Sequence, residues 1–487
     1  MYFSVYTLGC KLNQLESESI IDSFLKAGFS FIPPELISKG NKKLSLIIIN
    51  TCTVTSMADQ KARRIIRKYL RELPGAPIII TGCYAQMEKD ILEALDDSPL
   101  RAGQAACLKG SSIPNSKKRL FVIPGEKKGE LLFLPFFLLE NKIDPDYPPI
   151  IIDLINSWYS GLNNLKPEEK SLSSSSSFSF LPEKFSSHSR AFLKIQDGCN
   201  NSCAYCRVSL ARGKSRSFPA GEALATLKKL EDQGYGEAVL TGVNISQYMD
   251  SGINLGKLIK YLLKNTGKIR LRLSSIEPDF LTPDFLEVFE NPRLRPHLHI
   301  SLQSGSEEIT GKMGRSYKIK DIEKAVELFR TIRKDPFLAC DIITGFPGET
   351  EEEFKKTREF CEKLEFAWIH AFPFSPRQGT AAFAFSPKIC ERDAVARVED
   401  LGTLARKNRN KYIKSWVGKE VETIAERVHN NKDAVMQGLS ENYLKLFFTG
   451  VYPGIAPGAL LRCRITENRF SMLKQGNQID AIAEIIR

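Results

Sequence analysis

The sequence predicts an α/β protein in three folded parts: an amino-terminal parallel β-α-β domain, a partial (β/α)6 barrel of TIM-like type, and a small carboxy-terminal β-barrel of OB-like type. Three observations carry this. Strand-like apolar runs alternate with helically periodic segments in the first hundred residues, and again from Ala191 onward. After about Ser415 the pattern becomes short strand-like runs separated by Gly and Pro turns. At 487 residues, the chain is too long for one ordinary core.

In the first part (1–110), Tyr2 to Leu8 is apolar and β-prone and runs into Gly9-Cys10. Leu44 to Ile49 leads into Asn50-Thr51-Cys52, and Pro77 to Ile80 into Thr81-Gly82-Cys83. Leu15 to Ala27 and Ala58 to Leu73 have helical periodicity. The carboxyl ends of parallel strands lie along one edge, where ligands bind. Cys10, Cys52 and Cys83 are therefore expected to meet in space as a three-cysteine cluster site. Residues 111–190 read as an insertion or linker: Lys117-Lys118-Arg119 and Lys127-Lys128 punctuate them, prolines recur, and Ser171 to Ser179 is serine-rich. The apolar piece Leu131 to Leu139 has no partner legible in the pattern.

In the third stretch (191–414), the expected strands are Phe192–Ile195, Ala238–Thr241, Ile269–Ser274, Leu298–Leu302, Ala339–Ile343 and Trp368–Pro373. Helices such as Glu222–Gln233, Asp321–Arg333 and Glu351–Leu364 lie between them. Six β/α units imply an open relative of the TIM barrel, with its site at the strand carboxyl ends. In the tail (415–487), Val421–Ala425, Tyr443–Phe448 and Ala459–Ile465 are the strand-like runs of a barrel type that often binds oligonucleotides.

Directly after the first barrel strand stands Gly198-Cys199-Asn200-Asn201-Ser202-Cys203-Ala204-Tyr205-Cys206, a C-x3-C-x2-C run. Three thiolates on one short loop can hold a cubane iron–sulfur cluster by three of its irons, leaving the fourth open to a substrate. Zinc would want a fourth Cys or His nearby, and His188 does not stand at such a spacing. Eleven cysteines in so long a chain do not make a disulfide scaffold. Met1 to Val5 lacks the features of a secretory signal, and Leu131–Leu139 is too short to span a bilayer. A reducing cytoplasm with no membrane attachment is expected.

The net charge of +12 is moderate, and its placement is more informative. Arg406, Lys407, Arg409, Lys411, Lys414 and Lys419 form one block free of acids. Lys61, Arg63, Arg64, Arg67, Lys68 and Arg71 form a second. Each is either a polyanion-binding surface or a solvated helix face.

With these parts in place the chain resembles the radical SAM methylthiotransferases over nearly its whole length. The resemblance rests on Tyr6-Thr7-Leu8-Gly9-Cys10-Lys11-Leu12-Asn13-Gln14, Asn50-Thr51-Cys52-Thr53-Val54-Thr55, Thr81-Gly82-Cys83-Tyr84-Ala85-Gln86 and Lys194-Ile195-Gln196-Asp197-Gly198-Cys199. It continues in Ala211-Arg212-Gly213, Leu240-Thr241-Gly242-Val243-Asn244, Leu302-Gln303-Ser304-Gly305-Ser306 and Gly345-Phe346-Pro347-Gly348-Glu349-Thr350. The family order, methylthiotransferase domain, radical SAM domain and TRAM domain, is that of the three parts.

The resemblance implies two [4Fe-4S] clusters, on Cys199, Cys203 and Cys206 and on Cys10, Cys52 and Cys83. It also implies S-adenosyl-L-methionine (SAM), cleaved by the first cluster to a radical, with sulfur delivered at the second. SAM contacts are implied for Tyr205, Gly242, Asn244, Gln303 and Ser304; no catalytic residue beyond the cluster ligands is nominated. The implied partners are a tRNA anticodon stem-loop, a reductant such as flavodoxin or ferredoxin, and a sulfur donor.

Thr51-Cys52-Thr53-Val54-Thr55 with Ala58-Asp59 and Lys61 resembles the branch that acts on threonylcarbamoyladenosine in tRNA. Branches acting on isopentenyl-adenosine in tRNA or on a ribosomal-protein aspartate stay open, as does a non-catalytic RNA-binding iron–sulfur protein. One departure from the family is Arg207-Val208-Ser209-Leu210, where an apolar pair and a proline are usual. Its arginine faces either the rim of the SAM pocket or solvent. Cys107, Cys340, Cys361, Cys390 and Cys463 read as ordinary thiols.

Overall fold

The structure, a computed structural model, describes residues 1–37, 44–96, 118–141, 148–164, 178–186, 188–315, 317–426, 436–450, 452, 454–472 and 478–486. Contacts divide the chain into two compact units. One comprises Met1–Ser186 with Arg207–Gly213, the other Ser187–Cys206 with Lys214–Arg487.

The first unit runs β1 (Tyr2–Thr7), α1 (Lys11–Lys26), β2 (Ser30–Phe31), β3 (Leu44–Thr51), α2 (Ser56–Glu72), β4 (Ile78–Gly82), α3 (Cys83–Met87), α4 (Lys89–Glu93), β5 (Leu120–Val122), α5 (Leu134–Glu140) and α6 (Pro148–Asn164), with α7 (Val208–Arg212) added. Its five strands are all parallel, in the order β2-β1-β3-β4-β5. A parallel sheet is covered on both faces, so its strands are apolar almost throughout; all eight residues of β3 are buried. Alternate residues serve opposite faces. Phe3, Val5, Ile48 and Ile79 pack against Ile20 and Phe24 of α1. Ile47, Ile49, Ile78 and Ile80 pack against Ala62, Ile66 and Tyr69 of α2.

The expectation that 111–190 is only an insertion or linker is corrected for its described residues. Leu120–Val122 pairs in parallel with Ile78–Ile80 as the fifth strand. Leu131, Leu134 and Leu138, with Ile151, Ile155 and Trp158, close the core over α1. The charged and proline-rich punctuation hid a strand of three residues and two helices whose apolar stripes are completed only by the sheet. Cys107 and most of the Ser171–Ser179 run lie outside the described residues.

The second unit carries β6 (Ala191–Lys194), β7 (Gln196–Asp197), β8 (Arg216–Ser217), α8 (Ala220–Asp232), β9 (Glu237–Thr241), β10 (Met249–Asp250), β11 (Ile253–Asn254), α9 (Leu255–Lys264), β12 (Arg270–Leu273), α10 (Pro283–Leu286), β13 (His297–Gln303), α11 (Glu307–Lys312), α12 (Ile319–Ile332), β14 (Phe337–Thr344), α13 (Glu351–Lys363) and β15 (Trp368–Pro373). The parallel sets β6-β9-β12 and β13-β14-β15 are joined by the bridges Leu271 to Leu294 and Ile276 to Ile300. Six parallel strands with helices between them make the expected open barrel. The long α14 (Glu391–Trp416) leads into β16 (Glu420–Glu426), β17 (Met436–Ser440), β18 (Lys445–Phe448), β19 (Leu460–Met472) and β20 (Gln478–Ile485). These close as β16-β17-β18-β20-β19. β17 and β20 carry no clear run in the sequence and are defined by their partners.

The closed barrel is fastened to the amino-terminal ends of the open-barrel strands by buried charge. Glu237, at the start of β9 and fully buried, lies 2.7 Å from Arg272 and 2.8 Å from Arg295. Arg295 reaches Glu422 of β16 at 2.7 Å, and Arg272 donates to the Ser440 carbonyl at 3.0 Å. Arg409 of α14 pairs with Asp480 of β20 at 2.6 Å and lies over the rings of Phe337 and Trp368. Burial opposes the Glu237 carboxylate, but Arg272 and Arg295 outweigh it and hold its pKa far below the usual range.

Within the 401–419 block, Lys407, Arg409, Lys411 and Lys419 are paired with Glu362, Asp480, Glu365 and Asp335. Most of that block therefore ties the fold together.

Leu134→Ala should destabilise the first unit by about 2–5 kcal/mol in chemical denaturation, as a core deletion does; a linker residue would cost almost nothing. Glu237→Gln should cost about 3–5 kcal/mol by removing the buried carboxylate that Arg272 and Arg295 share and that lies 3.6 Å from Arg190. A depressed folded-state pKa means this contribution is complete above the unfolded pKa of Glu and is lost only as pH falls through the folded value. The penalty measured at pH 7 should therefore persist at pH 5.5.

Candidate metal centres

In the first unit the three strand-end cysteines lie at the carboxyl edge of β1, β3 and β4. Strand order reverses between β1 and β3, and sheets of this kind bind ligands at such a reversal. Gly9 has φ of +105°, and a Cβ there would stand 2.6 Å from Cys52 Cβ and 3.0 Å from its Sγ. Gly82 has φ of +101°, and a Cβ there would fall 2.2 Å from the Thr51 carbonyl oxygen. Only glycine lets these turns approach so closely. Asn13 Nδ2 donates to the carbonyls of Leu8 (2.7 Å) and Thr51 (3.0 Å), tying the ends of β1 and β3. Thr51 Oγ1 donates to the Thr81 carbonyl at 2.5 Å, tying β3 to β4.

Cys10 precedes the first turn of α1, and Cys83 opens α3. Burial pushes the Cys52 thiol up to about 12; the Val54 backbone N–H eases this, and the Cys10 and Cys83 sulfurs add to it. Cys10 keeps an exposed face, yet the protein packed behind it raises its thiol too; Arg212 works against the rise and Cys83 with it. Arg212 is held 3.1 Å from Glu16 and 3.1 Å from Asn13 Oδ1, and Lys128 pairs with the same Glu16. Arg207 pairs with Glu88 at 2.9 Å and is mostly buried. The departure at 207–210 thus places its charge in an ion pair of the first unit.

In the second unit the C-x3-C-x2-C loop follows β6 and β7 and is pinned along its length. Ala204 donates its N–H to the Met313 carbonyl at 2.9 Å and accepts from the Ala382 N–H at 2.8 Å. Asn200 N–H donates to Gln247 Oε1 at 2.9 Å, and Gln247 donates back to Asn201 Oδ1 at 2.7 Å. Gln196 is the residue that sequence reasoning quoted but did not place in the site. Its Nε2 donates to the Gly198 carbonyl at 2.7 Å, and its Oε1 accepts from the Asn244 N–H at 2.8 Å. A Cβ on Gly242 would lie 2.8 Å from that Oε1, so the loops after β7 and β9 meet at one side chain.

Asn244 Nδ2 stands 3.9 Å from Cys199 Sγ and 3.3 Å from Glu277 Oε1. Glu277 pairs with Arg315, which donates to the Tyr205 hydroxyl at 2.8 Å. Burial pushes the Cys203 thiol up; Arg315 opposes this, while Glu277 and Cys199 reinforce it. Arg315 and Glu277 had no sequence signal beyond ordinary strand-end and loop residues. Gln303 ends β13 at a positive φ of 64°. Ser304 is buried, its hydroxyl 3.0 Å from Thr357 Oγ1. Its hydroxyl is therefore engaged by α13. Three polar residues on adjacent strands were also not anticipated. His299 lies 3.0 Å from Asp341, and its ring stacks on His370 with centroids 5.1 Å apart. Cys340, Cys361 and Cys463 are buried in the fold, and Cys390 is exposed.

Among the described residues, no three His, Cys, Asp or Glu side chains converge tightly enough to hold a single metal ion. A cubane core spreads its thiolates more widely than one ion does. Residues 193–361 match the radical SAM superfamily, and residues 2–100 match an uncharacterized protein family, UPF0004. A threonylcarbamoyladenosine tRNA methylthiotransferase, MtaB, of Treponema pallidum is 38% identical over 468 residues, covering 91% of this chain and 93% of its own length. The chain belongs to the radical SAM methylthiotransferase family.

Methylthiotransferases of the same name from Thermotoga maritima and Bacillus subtilis are 33% and 30% identical. They cover 92% and 91% of this chain, and 91% and 90% of their own lengths. A tRNA-2-methylthio-N(6)-dimethylallyladenosine synthase of Lawsonia intracellularis is 28% identical over 88% of each chain. Among solved structures, the radical S-adenosylmethionine methyltransferase TsrM of Kitasatospora setae aligns with a TM-score of 0.51 at 13% identity, over 83% of this chain and 89% of its own. That likeness concerns the fold alone. No helix among the described residues is long and apolar enough to cross a membrane.

Replacing Gln196 by Ala in this methylthiotransferase leaves the Gly198 carbonyl and the Asn244 N–H without their partner. The cost should be about 1–3 kcal/mol of local order. In metal-free reduced protein, Cys199 should then react with a thiol reagent about tenfold faster or more. An unchanged rate would show that the loop is held elsewhere.

Proposed function

We propose that this methylthiotransferase acts on tRNA, converting N6-threonylcarbamoyladenosine beside the anticodon to its 2-methylthio derivative. The observation that carries the reading is the pair of separate three-cysteine edges, one in each unit, in a chain whose relatives at 30–38% identity bear that activity in their names. The bond to be replaced explains why the chain needs radical chemistry. An aromatic C–H has no useful acidity, so a positioned base cannot open it.

Cys199, Cys203 and Cys206 would hold one [4Fe-4S] cluster through three irons, and Cys10, Cys52 and Cys83 a second. When bound, such clusters supply an electron for the reductive cleavage of SAM and a route for the incoming sulfur. The donor sets fit: in each unit neighbouring thiols raise one another's pKa, a conflict that a cationic core removes by binding them as thiolates. Around them the side chains orient and shield. Gln196 fixes the Cys199 loop against the Gly242–Asn244 turn. The Glu277–Arg315–Tyr205 chain closes one side of that loop with a charge pair held away from water. Arg212 sets a permanent cation toward the Cys10 and Cys52 sulfurs.

Tyr205, Gly242, Asn244 and Gln303 are the residues we assign to SAM. Ser304 supports their loop, because its hydroxyl is taken by Thr357. In this reading 191–414 is the radical SAM part and 415–487 a TRAM-like RNA-binding part. An external reductant of flavodoxin or ferredoxin type and a sulfur donor complete the cycle.

Nucleosides of tRNA from a strain lacking the gene, with and without its restoration, test the reaction by mass spectrometry. Loss and recovery of 2-methylthio-threonylcarbamoyladenosine is expected. A change confined to the isopentenyl counterpart would move the chain to the other tRNA branch. In purified protein, Cys203→Ala should abolish formation of 5′-deoxyadenosine from SAM. Cys52→Ala should retain it while losing the methylthio product. Equal loss of both products in both variants would contradict the division of labour.

A further inference from the structure

One feature of the first unit is left unused by the chemistry above: the outward face of α2. Its inner face is the core stripe of Ala62, Ile65, Ile66, Tyr69 and Leu70. Its outer face presents Lys61, Arg64, Arg67 and Arg71, all exposed. They recur at intervals of three, three and four residues, so they form one ridge about 15 Å long at 1.5 Å per residue. Their neighbours in the same block are engaged. Arg63 binds the Tyr84 hydroxyl, and Lys68 has Glu72 at 3.9 Å. The four ridge cations have no carboxylate partner among the described residues. The 401–419 block is the opposite case, with four of its six cations paired to carboxylates.

The same helix begins at the cysteine edge. Thr55 caps it, accepting from the Ala58 N–H at 3.1 Å, only three residues after Cys52. At this tip Val54 and Met57 are 64% and 71% exposed, two neighbouring apolar side chains able to meet the flat face of a base. The closed barrel stands at the other kind of strand end within its own unit. It is fastened to the amino-terminal ends of the open-barrel strands, whereas the Cys199 loop follows a carboxyl-terminal end.

We propose that α2 is a second RNA-binding element, with Lys61, Arg64, Arg67 and Arg71 holding consecutive phosphates of the substrate tRNA and Val54 and Met57 lying under an unstacked base beside Cys52. The inference rests on the tRNA reading of the active site and adds the surface that brings the RNA to it. Phosphate neutralisation by four cations gives affinity without sequence preference, and an apolar tip gives a stacking surface for a single base. An acidic protein surface would meet the same ridge, but it has no use for an apolar tip at the cysteine edge.

The test uses full-length, cluster-reconstituted protein and a tRNA that carries N6-threonylcarbamoyladenosine but no methylthio group, with binding followed by fluorescence anisotropy from 50 to 300 mM salt, a range on the order of that over which such contacts are lost. For the K61Q/R64Q/R67Q/R71Q variant, Kd should rise at least about tenfold at the middle of that range. The slope of log affinity against log salt should fall by about 3, as four lost phosphate contacts require. RNA-independent formation of 5′-deoxyadenosine should stay at the wild-type rate, which reports an intact fold and cluster. The conservative R64K/R67K/R71K variant should keep most of the affinity. K407Q/K411Q, in the paired block, should leave both affinity and slope unchanged.

Wild-type affinity and slope in the quadruple variant overturn the inference alone. So does a defect seen only when electrons come from a flavodoxin-type protein and absent with dithionite, which assigns the ridge to an acidic protein. Wild-type protein that binds no tRNA overturns this inference together with the substrate reading beneath it.

Discussion

Three thiolates brought close together repel one another, and the first unit is organised around keeping three sulfurs together nonetheless. A parallel sheet is the device. Its strands all end on the same edge, so cysteines far apart in sequence become neighbours once β1, β3 and β4 pair in register. The turns after these strands are then set by space. Gly9 and Gly82 have left-handed backbone angles and no room for a side chain, and Asn13 and Thr51 join the strand ends by hydrogen bonds. Arg212, fixed by Glu16, supplies positive potential that partly relieves the sulfurs. A metal core bound there, as proposed, would complete the balance that the protein leaves open.

The second unit solves a related problem by different means. Its three cysteines are adjacent in sequence, so the fold has to hold a loop open where the first unit gathers distant strands. Gln196, Gln247 and the backbone of Met313 and Ala382 pin that loop from several sides. At the opposite end of the same strands, Glu237 and its arginines fasten the closed barrel. One end of the open barrel is thus committed to architecture, with its charges buried and matched. The other is left free for chemistry.

Much of this was legible in the sequence because it depends on local pattern. The strand-end cysteines, the C-x3-C-x2-C loop and the six barrel strands are each announced by runs of apolar residues and the turns after them. What escaped depends on partners distant in sequence. Leu120–Val122 is too short to signal a strand and exists because Ile78–Ile80 offers it an edge. Leu131 to Leu138 showed its apolar stripe but not the sheet face that buries it. Arg315 and Glu277 look like ordinary surface charges until the fold sets them against each other beside Tyr205. The two basic blocks were indistinguishable as sequence. Only the carboxylates brought to α14 by the fold separate them.

Each unit gathers one set of three cysteines, and on the proposed reading each set binds its own cluster. Mössbauer spectroscopy of iron-57-reconstituted protein, with iron counted per chain, tests it directly. About eight irons are expected in the wild type, and about four in a variant with Cys10, Cys52 and Cys83 replaced by Ala or in one with Cys199, Cys203 and Cys206 replaced. Both variants should keep the spectrum of a [4Fe-4S] centre. About four irons in the wild type, lost entirely in one variant and unchanged in the other, would contradict it.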